Sequence, residues 1–249
     1  MIHSVNNYRL PSKMPILNSN TKRIACLDNQ IGEIVYNGTD FESFSGDKKF
    51  FGLQRNCAPT PNMLTIQKRT ELNYQMLPQA SNPRIVILLE SPNTDEYPPK
   101  NKTKISGPAM GSSGNRFDGQ CITVFNNNIA ILQKALGICV GSTGRIVYDV
   151  FFINAIQYQC SLGYPKMKPK IRDFIFEALW NQQPDSFRDD LIERLNLLKP
   201  NLIINACTRE LQKTCCNGTN IAQHLKGFKF SFLTASEHIC AWDKDTIIL

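Results

Sequence analysis

Histidine is almost missing from this chain of 249 residues: it occurs three times, at positions 3, 224 and 238. Those positions are too scattered to hold a zinc ion by spacing. The nine cysteines are odd in number and include no C-x-x-C pair, so an iron–sulfur or zinc-ribbon signature is absent. A secreted disulfide framework fits poorly as well, and free thiols acting as small hydrophobes are the better account. No apolar run approaches the roughly 20 residues that span a bilayer. The opening stretch, Met-Ile-His-Ser-Val-Asn-Asn-Tyr-Arg, lacks a signal-peptide apolar segment. The expectation is a cytoplasmic, soluble, monomeric protein that binds no metal and uses no cofactor.

A strong excess of one charge is missing too. The 28 basic and 21 acidic residues leave a net charge of +7. That permits a polyanion as partner but falls short of the basic excess of a coating protein.

What the chain does have is four apolar runs, each ending in polar residues. The first, Arg84-Ile-Val-Ile-Leu-Leu-Glu-Ser-Pro-Asn93, runs from Ile85 to Leu89 and stops at Pro92. A short apolar run bounded by turn signals predicts a strand buried on both faces, as in a parallel sheet. Glu90 and Ser91 then stand at its carboxyl end, where open α/β sheets place their ligands. A carboxylate there is costly to bury unless it is paired or used. The second run, 145–156, is interrupted by Asn154, whose amide must find partners for both its oxygen and its nitrogen. A third strand is expected at 200–205 and a fourth at 228–234, leading into Ala-Ser-Glu-His-Ile-Cys-Ala-Trp242.

Helical patterns separate these runs. Ile122, Phe125, Ile129, Leu132 and Leu136 form one stripe, closed by Gly137. Ile171, Phe174, Ile175, Ala178 and Leu179 form another, and Phe187, Leu191, Leu195 and Leu198 a third. The alternation argues for a three-layer αβα domain over 81–249 with a four-stranded parallel sheet. Residues 1–80 are polar and proline-bearing, and read as an extension packed on that core. Within them, strand-like pieces lie near Arg23–Leu27 and Ile31–Tyr36, joined through Asp28-Asn29-Gln30, and a helix is expected over Met63–Met76.

The long segment 93–120 is rich in Pro, Gly, Ser and Lys, and loops of that length in compact domains are usually functional or disordered. Its centre, Gly107 to Phe117, brings glycines next to Arg116 and an aromatic ring. It lacks the G-K-[ST] ending of a nucleoside-triphosphate loop.

The order of these features resembles the uracil-DNA glycosylase superfamily, over about residues 84 to 242. Leu89-Glu-Ser-Pro-Asn93 looks like that family's water-activating motif, Val150-Phe-Phe-Ile-Asn154 is similar to its base-reading strand, and Thr234–Trp242 falls where its last motif belongs. The chain departs from the pattern in having Leu89 for the leading glycine and in lacking the His-Pro-Ser of the last motif, with His238 nearby but out of step.

The resemblance implies a DNA glycosylase. Glu90, supported by Ser91, would orient water and stabilise positive charge on the sugar. Backbone amides of 107–114 and His238 would meet the negative charge on the departing base. Asn154 would read the flipped base and Phe117 would stack on it. Ile239 or Trp242 would fill the vacated space in the duplex, while Lys100, Lys102, Lys104, Gly111, Ser112, Arg116 and Ser236 would meet the DNA backbone. Asn93 stands where the uracil-specific branch has a tyrosine that blocks C5 of the pyrimidine. The expected substrate is therefore a cytosine with a hydroxylated or glycosylated C5 group, of the kind phages place in their DNA. Uracil repair, a catalytically silent nucleic-acid-binding module and a nucleoside hydrolase are the rival expectations.

Overall fold

A computed structural model of the chain describes residues 28–46, 53–55, 72–74, 82–92, 112–139, 144–157, 160, 176–177, 180, 187–208, 221, 225 and 230–249. Its centre is a six-stranded mixed sheet in the order β2-β1-β6-β5-β7-β8. The strands are β1 (Asn29–Tyr36), β2 (Phe41–Ser45), β5 (Arg84–Leu89), β6 (Ile146–Asn154), β7 (Leu202–Asn205) and β8 (Ser231–Thr234). A separate short ribbon pairs β3 (Leu53–Arg55) with β4 (Leu72–Tyr74). Three helices are described: α1 (Ser112–Asn127), α2 (Ile129–Leu136) and α3 (Phe187–Leu198).

The four apolar runs become β6, β5, β7 and β8, mutually parallel and adjacent. They do not form a sheet of their own, as expected from the sequence, because β1 and β2 extend it through antiparallel pairs. Both added strands come from residues read as an extension. Their turn lies at Asn37–Asp40, where Asn37 Oδ1 accepts from the amides of Thr39 and Asp40. It is not at Asp28–Gln30. Gly32 sits where the β1–β6 register shifts, and any Cβ there would lie 2.1 Å from the Ser45 carbonyl oxygen. Backbone approach that close admits only glycine.

Side chains of the central strands alternate between two cores, as the two-residue period of a strand requires. Ile85, Ile87, Leu89, Val150, Phe152, Leu202 and Ile204 pack on one face with Phe117, Val124, Phe125 and Leu132 of α1 and α2. Val86, Leu88, Phe151, Ile153 and Ile203 pack on the other with Leu191, Leu195 and Leu198 of α3. Burial on both faces explains why these strands read as continuous apolar runs.

The helices differ from expectation in two places. The predicted stripe 122–136 is split at Asn128 into α1 and α2, and α1 begins at Ser112 inside the segment read as a loop. Gly137 does close α2 in the left-handed conformation, with φ of 68°. Residues 72–74, placed in a helix by the sequence, are strand β4, and the fourth strand starts at Ser231 within the described residues. The helix expected at 171–179 falls largely outside the described residues. No described helix is long and apolar enough to cross a membrane.

Candidate functional site

Parallel pairing fixes what the strand ends bring together. Leu89 is in register with Asn154, Leu88 with Asn205, and Asn205 with Thr234. Glu90, Asn154, Asn205 and the turn after Thr234 therefore meet at one edge of the sheet, its carboxyl edge, as the four polar run ends require. The chain after β6 is tied down at once: Ala155 N–H donates to the Leu89 carbonyl at 2.7 Å, and Ile156 N–H to that of Glu90 at 3.0 Å.

Glu90 is buried, and its Oε2 accepts from the main-chain N–H of Thr208 at 2.7 Å. A charge-assisted bond to a fixed backbone donor sets the direction of the carboxylate. Next to it runs the turn that follows β8. Cys240 lies within electrostatic reach of Glu90: desolvation pushes its thiol up from the ordinary cysteine range, and the negative charge of Glu90 adds to that. Residues 238–241 follow β8, two strands from the end of β5. His238 caps a 3-10 turn over Ile239–Ala241, with Nδ1 accepting from Cys240 N–H at 3.3 Å. An accepting Nδ1 puts the proton of the neutral ring on Nε2. Ser91 is half-buried at the same edge.

Asn154 differs from the other buried polar side chains in that both of its polar atoms lack a partner among the described residues. Its side chain is fully buried, and neither its oxygen nor its nitrogen finds a hydrogen bond there. An amide left like this costs roughly 1–3 kcal/mol for each unsatisfied group. By the alternation of β6, it continues the Tyr148, Val150, Phe152 row towards the α1 face. Asn205, two strands further along, instead closes its own turn, with Oδ1 accepting from Cys207 N–H at 3.2 Å.

Several expected contacts are not made. Phe117 offers no stacking face. Its ring is fully buried between Phe44, Phe152 and Trp242, with centroids 5.5, 4.9 and 5.3 Å away. The cause is that α1 starts early enough to carry Phe117 onto its core stripe with Cys121, Val124 and Phe125. Ile239 and Trp242 are likewise fully buried, and Trp242 Nε1–H donates to the Glu237 carbonyl at 3.0 Å. They are core residues and cannot serve as wedges into DNA without leaving it.

Arg116 is exposed on α1 and ties that helix to the last turn, its Nε–H donating to the Trp242 carbonyl at 2.6 Å. Ser236 Oγ accepts from Ile247 N–H at 3.0 Å. Ser112 opens α1. Asn93, Lys100, Lys102, Lys104 and Gly111 lie outside the described residues. No group of His, Cys, Asp and Glu fit to hold a metal ion occurs among the described residues.

Sequence reasoning missed a buried ionic cluster directly behind Asn154. Arg194 of α3 is fully buried and forms ion pairs with Asp28 at 2.8 Å and Asp190 at 3.1 Å. Its Nη2 donates to the carbonyls of Asn154 and Ala155 at 3.0 and 3.1 Å. Gln157 adds a bond to Asp28 at 3.3 Å. Two carboxylates share one guanidinium here, and desolvation pushes the Asp28 carboxyl up to about 6 against the pull of Arg194. Removing one member of such a buried pair typically costs about 3–5 kcal/mol. The signal was present in the sequence: Asp190 and Arg194 stand four residues apart on the apolar stripe of their helix, where charge needs a partner.

No family model, no curated protein and no solved structure matches this chain.

Proposed function

We propose that this protein is a DNA glycosylase that flips a pyrimidine out of DNA and hydrolyses its N-glycosidic bond, leaving an abasic site. The observation that carries the reading is Asn154. A buried amide whose donor and acceptor are both unpartnered, one register position from the strand that ends in a buried carboxylate, offers what a pyrimidine edge needs. Pairing with a base would satisfy both atoms at once, so recognition recovers free energy that folding alone forgoes. The rest of the reading takes its outline from the resemblance to uracil-DNA glycosylases and their three-layer αβα domain.

In this reading Glu90 orients the attacking water and stabilises the positive charge that develops at the sugar. Thr208 N–H holds the carboxylate in place for that task. His238, with its proton on Nε2, is the donor for the oxygen of the departing base. Arg116, exposed at the start of α1, is the DNA-backbone contact among the described residues. Asn93 in place of a C5-blocking tyrosine makes a C5-modified cytosine, hydroxymethylated or glycosylated, the favoured base.

The test is abasic-site formation on duplexes carrying hydroxymethylcytosine, its glucosylated form, uracil or unmodified cytosine. Release of the modified cytosine, lost in Glu90→Gln with DNA binding kept, is the expected result. Release of uracil alone would move the protein to uracil repair. Binding to DNA with no release from any duplex would leave only a nucleic-acid-binding module.

A further inference from the structure

Beyond Phe152, β6 loses its outer neighbour. Strand β1 begins at Asn29, opposite Phe152, so among the described residues no strand lies outside the last two residues of β6. Arg194 takes over at that point, receiving the carbonyls of Asn154 and Ala155 on one nitrogen. The residue that precedes β1, Asp28, turns in to hold Arg194 through both of its oxygens, at 2.8 and 2.9 Å. Asp190 holds Nε from one helical turn away. All donors of a planar fork are thereby committed in fixed directions. Helix α3 packs on the face of the sheet opposite to the one Asn154 enters. Arg194 therefore grips the main chain from behind and leaves the Asn154 amide alone.

We propose that Arg194 is the positioning residue of this site. Gripping the carbonyls of Asn154 and Ala155 from the far face of the sheet, it fixes the direction in which the Asn154 amide meets the base. The proposal rests on Asn154 as the base reader. On the near side, Leu89 and Glu90 hold the amides of residues 155 and 156, so the peptide units around Asn154 are clamped on both sides and its Cα–Cβ bond has one direction. Arginine is needed because a lysine ammonium has no fork that could serve two carbonyls and two carboxylates together. The N-terminal segment becomes part of base recognition through Asp28, although Asp28 never touches the base.

The experiment uses the full chain as wild type, Arg194→Lys, Asp28→Asn, Asn154→Ala and the Arg194→Lys/Asn154→Ala pair. Asp28→Asn keeps an acceptor oxygen for Nη1 and stands in if Arg194→Lys does not fold. Base release is measured at single turnover on the modified-cytosine duplex, beside DNA affinity. The nitrogen-15 signal of the Asn154 side chain, assigned by its loss in Asn154→Ala, reports the amide directly. Arg194→Lys should bind DNA normally, release base about 10²-fold more slowly, the cost of a displacement of about 1 Å, and shift the amide signal. The double variant should be no slower than Asn154→Ala alone. A normal rate, or an additive loss in the pair, would overturn the proposal. If the wild type releases no base, the functional reading fails by itself, and the amide signal decides: displaced in Arg194→Lys, the clamp stands; unmoved, it falls.

Discussion

The junction between α1 and α2 and the carboxyl end of β6 hold the same kind of side chain in opposite circumstances. At the junction, Asn126 closes a two-way bond with the main chain of Phe41, accepting from its N–H at 2.8 Å and donating to its carbonyl at 2.9 Å. Asn128 donates to the carbonyls of Val124 and Thr246 and accepts from Ile248 N–H. Those two amides staple strand β2 and the chain after β8 to the helices. At the strand end Asn154 is more deeply buried than either, yet its side chain bonds to no group among the described residues. The difference teaches how to read polar groups inside this fold. At Asn126 and Asn128 both atoms of the amide are bonded to backbone; at Asn154 neither atom is bonded among the described residues.

The comparison breaks most readily in the rate of base release. Asn154→Ala should lower the single-turnover rate about 10²–10³-fold, the size found when a preorganised donor is removed from a reacting site. Asn128→Ala should leave the rate per folded molecule unchanged. Equal losses in both variants would end the distinction between a stapling asparagine and a reading one.

This contrast was half legible in the sequence. Asn154 stood out because it interrupts an apolar run, and the runs themselves gave β5, β6 and β7 because burial on both faces leaves no polar positions. Phe117 was misread for a physical reason: glycines and serines at 107–114 suppress the helical pattern, although Phe117, Cys121, Val124 and Phe125 already step by three and four. Asp28 and Arg194 escaped because their partnership spans 166 positions. No local spacing reveals which turn residue a buried arginine will find. The piece Ile31–Tyr36 was legible and is the body of β1, while the edge strand β2 escaped because it is exposed at most positions and reads as polar loop.

The next effect concerns the cluster behind Asn154. The Asp28 carboxyl, ordinarily near 3.8, is pushed up to about 6 in the folded protein, desolvation outweighing Arg194. The folded state therefore holds a proton that the unfolded chain releases. That contribution is complete below about 3.8 and is lost as pH rises through about 6, a change of about 3 kcal/mol across the window. Unfolding free energies of wild type minus Asp28→Asn, measured in denaturant from pH 4 to 7, should fall with rising pH and level off above it. Parallel curves would show that Asp28 does not titrate in that range.

Smaller again is the cost of cutting a staple. Asn128→Ala strands the amide of Ile248 and the carbonyl of Thr246, and should lower stability by about 1–3 kcal/mol. Because the lost bonds tie residues 246 and 248 to the helices, hydrogen exchange at the Leu249 and Thr234 amides, which pair with one another's carbonyls, should speed up with it. A stable variant with unchanged exchange would mean that Asn128 holds nothing.

The smallest effect has the most telling sign. Asn154→Leu exchanges a side chain for one of similar size and removes two polar atoms that have no partner. Folding no longer has to strip water from an amide that receives nothing in return, while the apolar replacement stands on the face that Leu89 and Phe152 line. Stability should stay level or rise by about 1 kcal/mol, limited by the branch of leucine in a space shaped for a planar group. Asn128→Leu, treated alike, should lose stability, because there the bonds exist to be lost. Arg194 continues to hold the carbonyls of residues 154 and 155 whatever side chain residue 154 carries, so the backbone gives no separate reason for a change. A gain at 154 beside a loss at 128, read from paired thermal melts, would mark Asn154 as a residue kept against the interest of stability. A loss at 154 as large as that at 128 would mean that Asn154 serves the fold, and base reading would have to be sought elsewhere on that edge.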